Sequence, residues 1–141
     1  MVQYAFGSYL SIVCEAEVTS DGELRLKRIV AALDCGQVVN PDSVRAQIEG
    51  GLVFGMTAAI YGEITLDQGR VQQTNFDTYR MLRMNEVPPI EVHIVDSHEK
   101  PGGLDEIACV ASFPAIANAV YAATGQRIRS LPLSTSLTSM G

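Results

Sequence analysis

The sequence predicts an α+β domain: a small mixed or antiparallel sheet packed against one long helix and a shorter C-terminal helix. Three observations carry this. Residues 8–18 set two sides of a strand at a period of two, and a Ser20-Asp21-Gly22 turn reverses the chain into a second β-rich run at 23–32, the pattern of a hairpin. From Pro41 to about Tyr61, apolar and small residues instead recur three to four apart, behind an Asn40 N-cap and a proline at the first helical position. The stretch PAIANAVYAAT, residues 114–124, repeats the helical spacing and stops at Gly125. A chain of 141 residues has room for one core.

In the first strand Leu10, Ile12, Cys14 and Ala16 share one side, and Tyr9, Ser11, Val13 and Glu15 the other. Asp34-Cys35-Gly36-Gln37 breaks the second strand, and Asp42 adds negative charge to the first turn of the long helix. Gly50, Gly51 and Gly55 lie inside that helix. Each costs about 1 kcal/mol against alanine, so another element or a ligand is expected to approach the backbone there. Gly62 ends the helix, and Asp67-Gln68-Gly69 turns residues 63–65 into 70–73 as a second, small hairpin. Residues 75–89 have no period and finish in Pro-Pro, which predicts an ordered loop across the surface. Residues 90–95 are a further strand, Pro101-Gly102-Gly103 a turn, and 134–141 a flexible polar tail.

Ten basic and sixteen acidic residues give a net charge of −6, which argues against nucleic acid as a partner. At 18% charged residues the surface is poor in charge, pointing to a face that a partner covers. Cys14, Cys35 and Cys109 form no CxxC or CxxH pattern, so neither a disulfide scaffold nor a zinc knuckle is expected. The first residues lack the basic segment and long apolar run of a signal peptide or membrane anchor. A cytoplasmic location is the default expectation, with a periplasmic complex left open. His93 and His98 share no rigid register, and no metal ligands are assigned.

Glu106, in PGGLDEIA, is the candidate catalytic carboxylate: two glycines precede it and an alanine-rich helix follows. Its plain alternative is a solvated loop acid. Gln47 is a candidate amide donor to a cofactor, and residues 34–55 combine a turn, a capped helix and glycines in a layout compatible with a cofactor edge. They match neither GxGxxG nor a P-loop. Cys35 reads as a reactive thiol or as a small buried hydrophobe. Tyr79, Arg80 and Arg83 read as an anion or partner contact or as ordinary surface.

Three stretches occur in order over residues 5–133: RIVAALDCGQVVNPDSVRAQIEGGLVFGMTAAIYGEIT, GRVQQTNFDTYRMLRMNEVPPIEVHIVDS and PGGLDEIACVASFPAIANAVYAATGQRIRSLPL. They resemble the molybdopterin-binding large subunit of the xanthine dehydrogenase and aldehyde oxidase family, most of all its isoquinoline 1-oxidoreductase type. The resemblance implies that residues 1–133 are the C-terminal portion of a molybdenum-cofactor-binding domain. A family segment Gly-Gly-hydrophobic-Gly-Glu-Pro-Gly places its glutamate on Glu106, implying a base that takes a proton during hydroxylation of an electron-poor carbon. Gln47, Gly50 and Gly51 match a QxEGG segment near the pterin, and Asp34 and Gly36 a DxG turn. The sequence departs from the pattern at Asp105, Ile107 and Ala108, side chains that could enter cofactor space.

The cofactor so implied is molybdopterin in its cytosine dinucleotide form, held by the complete enzyme and not by the isolated chain. The implied partners are the remaining molybdenum-subunit polypeptide and an iron–sulfur protein, since the chain has no cysteine pattern for a cluster; self-association is left open. The expected function is that of a fragment or split subunit of a molybdenum hydroxylase oxidising N-heterocycles or aldehydes, inactive alone. The alternative is a non-catalytic remnant or protein-interaction module of the same fold.

Overall fold

Alternation along the second strand decides which side of the sheet becomes core. In β2 (Ser8–Val18) Ser8, Leu10 and Ile12 are buried while Tyr9 and Val13 are exposed, the one-sided burial of a sheet with a wet face. The computed structural model describes residues 1–138. β2 pairs antiparallel with β1 (Val2–Ala5) and with β3 (Leu24–Asp34). β6 (Ile90–Ile94) then pairs parallel with β3, so the sheet is mixed, in the order β1-β2-β3-β6. A parallel neighbour needs a long crossover, and the chain between β3 and β6 supplies it.

That crossover carries α1 (Pro41–Tyr61), begun as expected: Asn40 accepts hydrogen bonds from the backbone of Asp42 and Ser43 through its side chain, with Pro41 following. Gly62 closes the helix. The small hairpin of β4 (Leu66–Asp67) and β5 (Arg70–Val71) turns through Gln68 and Gly69, both at positive φ. Residues 75–89 form the expected surface loop, interrupted by a 3-10 turn at Met84–Glu86. Glu86 pins it to α1, accepting hydrogen bonds from the Tyr61 hydroxyl at 2.9 Å, the Arg83 backbone at 2.6 Å and the Arg80 guanidinium, which also lies over the Tyr61 ring. Of the partner contact entertained for this loop, Arg80 is thus committed internally.

Three expectations are corrected. β1 was not anticipated: its turn, Phe6-Gly7, puts a phenylalanine at φ 56°, where Asn or Gly would have signalled the hairpin. The second long helix, α2 (Ile107–Thr124), starts seven residues before Pro114, which lies inside it. Proline there removes one helical hydrogen bond, but burial of Ile107, Ala108 and Ala111 outweighs that loss. The flexible tail expected at 134–141 is helical in α3 (Leu133–Thr138), with Leu133 and Leu137 buried in the core; residues 139–141 lie outside the described residues.

α2 is long and apolar enough to cross a membrane, yet here it is the central core helix, packed on both α1 and β2. Its end is marked by Gly125 at φ 73°, as expected. The two helices touch almost backbone to backbone. A Cβ on Gly55 would sit 2.1 Å from the Ser112 hydroxyl and 2.5 Å from the Cys109 carbonyl, and one on Gly51 3.0 Å from Ala108 Cβ. Gly50, one residue earlier, has nothing within 4 Å of that position.

These differences set opposite signs for one chemical change. Gly50→Ala should raise thermal stability by up to about 1 kcal/mol through helix propensity, whereas Gly55→Ala should lower it by about 1–3 kcal/mol through overpacking; calorimetric melting distinguishes them. For Glu86, burial works to raise its carboxyl, but the hydrogen bonds from Arg83 and Tyr61 and the charge of Arg80 outweigh it and hold it below the ordinary carboxylate range. A depressed folded value stabilises above the unfolded pKa and loses that stabilisation as pH falls through the folded one. Glu86→Gln should therefore cost about 1–3 kcal/mol at pH 7 by urea melting, and the gap to wild type should close as the pH is lowered below about 4.

Candidate functional site

Helical spacing brings Gln47, Gly50, Gly51 and Phe54 to one side of α1. The facing wall is the segment that leads into α2, and backbone hydrogen bonds fix it from three sides. Gln37 N–H donates to the Glu99 carbonyl at 2.9 Å, Gly102 N–H to the Cys35 carbonyl at 2.8 Å, and Gly103 N–H to the Phe6 carbonyl at 2.7 Å. The Ser8 hydroxyl, fully buried, donates to the Gly103 carbonyl at 2.8 Å. A Cβ on Gly102 would stand 2.4 Å from that hydroxyl and 2.7 Å from the Gly7 carbonyl. The two glycines before Glu106 are therefore required by contact with the β1–β2 turn.

From this anchored segment Asp105 and Glu106 emerge exposed. Gln47 Nε2 donates to the Asp105 carbonyl at 3.2 Å, tying α1 to the end of the loop. Glu106 is the N-cap residue of α2 but its side chain makes no capping hydrogen bond, leaving the carboxylate available to a ligand. Gln47, Gly50, Gly51 and Glu106 all line one open groove of about 420 Å³, together with Phe54, Asp105 and Cys109. A larger hollow of about 710 Å³ lies toward the other end of α1, beside Tyr61 and Glu86, and shares no lining residue with this groove.

The sequence-predicted residues thus converge, with two qualifications of role. Gln47 spends a donor on the protein's own backbone. Asp34, whose carboxylate accepts from Gly36 N–H at 3.0 Å, shapes the β3–α1 turn and does not line the groove. Of the three departures from the family pattern, Ile107 and Ala108 are buried in the core, whereas Asp105 is exposed and lines the groove. Phe54, 65% exposed, was missed; its signal was present, since it stands four residues after Gly50 and seven after Gln47. The groove fits one side of a flat, hydrogen-bonding ring system such as a pterin: Gly50 leaves bare helix backbone where a Cβ would meet nothing, flanked by an amide, an acid and an aromatic ring. Residues Gln47, Gly50, Gly51 and Glu106 would border that group.

The thiols are quiet. Burial, helped by Asp34, pushes Cys35 up; burial, helped by Glu106, pushes Cys109 up; and burial with Glu15 pushes Cys14 up to about 11. Cys35 is 4% exposed, so the small-hydrophobe reading holds over the reactive-thiol one. Iodoacetamide should label the native chain at neutral pH at least about tenfold more slowly than the urea-unfolded chain, and Cys14 should gain reactivity only as the pH climbs toward about 11; fast native labelling would contradict this.

The family model of a molybdopterin cofactor-binding domain matches residues 2–88. The beta subunit of isoquinoline 1-oxidoreductase from Brevundimonas diminuta is 37% identical over 134 residues, covering 94% of this chain and 17% of its own length. A nicotinate dehydrogenase subunit from Pseudomonas putida is 36% identical over 113 residues, covering 79% of this chain and 10% of its own. Among solved structures, CO dehydrogenase from Oligotropha carboxidovorans superposes with a TM-score of 0.82 at 25% identity, over 95% of this chain and 18% of that one. The chain spans less than a fifth of the length of these relatives. With the family model covering more than half of its residues and the fold shared across nearly all of them, the chain belongs to the molybdopterin cofactor-binding domains of the xanthine dehydrogenase and aldehyde oxidoreductase family.

Proposed function

We propose that this chain forms one wall of the cofactor pocket of a molybdenum hydroxylase acting on N-heterocycles or aldehydes, with Glu106 as its base. The observation that carries the reading is the convergence of Gln47, Gly50, Gly51 and Glu106, from two distant parts of the sequence, on one groove. The relatives' names, an isoquinoline oxidoreductase and a nicotinate dehydrogenase, support the substrate class. The molybdenum cofactor, in the cytosine dinucleotide form we infer for it, supplies two-electron redox chemistry when bound.

The chain's own residues do the rest. Gly50 admits a planar ring against α1, and Phe54 offers an apolar flank that sheds water. Gln47 holds the Asp105 carbonyl at 3.2 Å and so sets where the next residue stands. Glu106 receives a proton on its carboxylate; its backbone is fixed by α2 on one side and by the anchored loop on the other, the positional control that general base catalysis needs. Because Ile107 and Ala108 are buried in the core, these two departures from the family pattern do not block this role, which favours the enzyme-component reading over a non-catalytic module; the third, Asp105, lines the groove beside Glu106.

An open groove leaves a large cofactor half in water, so the isolated chain is inferred to be inactive, with the other walls and the iron–sulfur electron path supplied by partner polypeptides. Purification from the native host as a complex, followed by molybdenum analysis and oxidation assays on isoquinoline, nicotinate and an aldehyde, tests the reading. Glu106→Gln in that complex should retain molybdenum but lose turnover by about 10²-fold or more. Unchanged turnover would remove Glu106 from its role, and oxidation by the partner-free chain would overturn the shared-pocket reading.

A further inference from the structure

The helices cover one face of the four-stranded sheet, and the other face presents side chains to water. Strand register assembles a patch there: Tyr4 stands opposite Tyr9, Val2 opposite Ser11, Val13 opposite Val30, and Ser11 opposite Ala32. Val2, Tyr4, Tyr9 and Val13 are 57–70% exposed, and the two tyrosine rings sit with centroids 4.6 Å apart. Charged groups border the patch: Asp34 stands opposite Tyr9 with its carboxylate turned to the Gly36 N–H, Glu91 stands beside Val30 on β6, and Arg28, opposite Glu15, grips Glu91 with two hydrogen bonds. A largely apolar, tyrosine-bearing patch on β1 and β2, bordered by Asp34 and by the Arg28–Glu91 pair, has the make-up of an interface core with a polar rim.

We infer that this sheet face docks the remaining polypeptide of a molybdopterin-binding subunit, an inference that rests on the shared-pocket reading above. Three observations select that occupant over a second copy of the chain. The matched stretch is only 17% of the isoquinoline relative and 18% of the CO dehydrogenase chain, so this fold occurs there beside a much longer polypeptide that can supply the opposing layer. A second copy would bring another six net negative charges, which opposes self-association. The patch is also continuous with the groove: the Phe6 carbonyl, in the turn that joins Tyr4 to Tyr9, accepts the Gly103 N–H of the segment carrying Glu106. A partner on this face therefore buttresses the loop that positions the carboxylate.

The test uses the full chain and, as probe, the Brevundimonas diminuta isoquinoline 1-oxidoreductase polypeptide lacking the stretch that this chain matches. Sedimentation velocity and a binding titration are run without cofactor or substrate, so the outcome is independent of turnover: docking can stand if Glu106 loses its role, and can fail if Glu106 keeps it. Wild-type chain should bind. Tyr9→Lys with Val13→Lys should weaken binding at least about tenfold while leaving the melting temperature of the free chain unchanged, and Asp67→Lys, on the distant small hairpin, should bind as wild type. Carbene footprinting of the wild-type complex should show Tyr4 and Tyr9 protected, a readout that needs no variant. Absence of binding, binding that the double variant retains, or a wild-type dimer that the double variant splits would each overturn the inference.

Discussion

The close contact of α1 with α2 is the constraint on which the rest depends. Gly51 and Gly55 face Ala108, Cys109 and Ser112 with no room for a further carbon at position 55. At that separation the Gln47 amide reaches the Asp105 carbonyl and Glu106 stands beside the bare backbone of Gly50. Small residues bury little apolar area, so they set spacing rather than supply most of the driving force. Ile48, Leu52, Met56, Ile107 and Ile116, all fully buried, provide that, at about 1.5–3 kcal/mol each.

The sheet serves as the anchor for the loop rather than as a wall of the groove. The β1–β2 turn, the end of β3 and the residues before α2 are joined by main-chain hydrogen bonds and by the buried Ser8 hydroxyl, contacts that in a dry setting are costly to break. Among the described residues no buried side-chain nitrogen or oxygen lacks a partner. The ion pairs, by contrast, lie on the surface: Lys27 with Glu17 and Arg25 with Glu23 are about half exposed, where water and salt screen them. The segment that presents the carboxylate is therefore held by geometry and main chain, and charge is left for the ligand.

Legibility varied with how local each signal was. β2 and α1 were readable to the residue because period, cap and proline all lie within the elements themselves. β1 was not, since its turn sets Phe6 at positive φ, and only pairing with β2 justifies that conformation. Pro114 read as a helix start and is in fact interior, because burial of the preceding turn outweighs one lost hydrogen bond. Leu133 and Leu137 sat in a polar string and revealed themselves as core only once α1 lay beside them. The glycines at 102 and 103 were correctly singled out, but their cause, the Ser8 hydroxyl and the Phe6-Gly7 turn, lies at the other end of the chain.

What the sequence determined by itself was the set of periodic elements, because these depend on neighbours two, three or four positions off, while the family and the short roster of chemically suggestive residues came from the resemblance of long stretches. Tertiary structure alone decided that Gln47 meets Asp105, 58 residues further on, and shares a groove with Glu106. It alone decided that Gly50 opens while Gly55 is filled, and that one sheet face stays bare. Those outcomes follow from how closely two helices can pack and which side of a sheet they cover, quantities that no local window of residues contains.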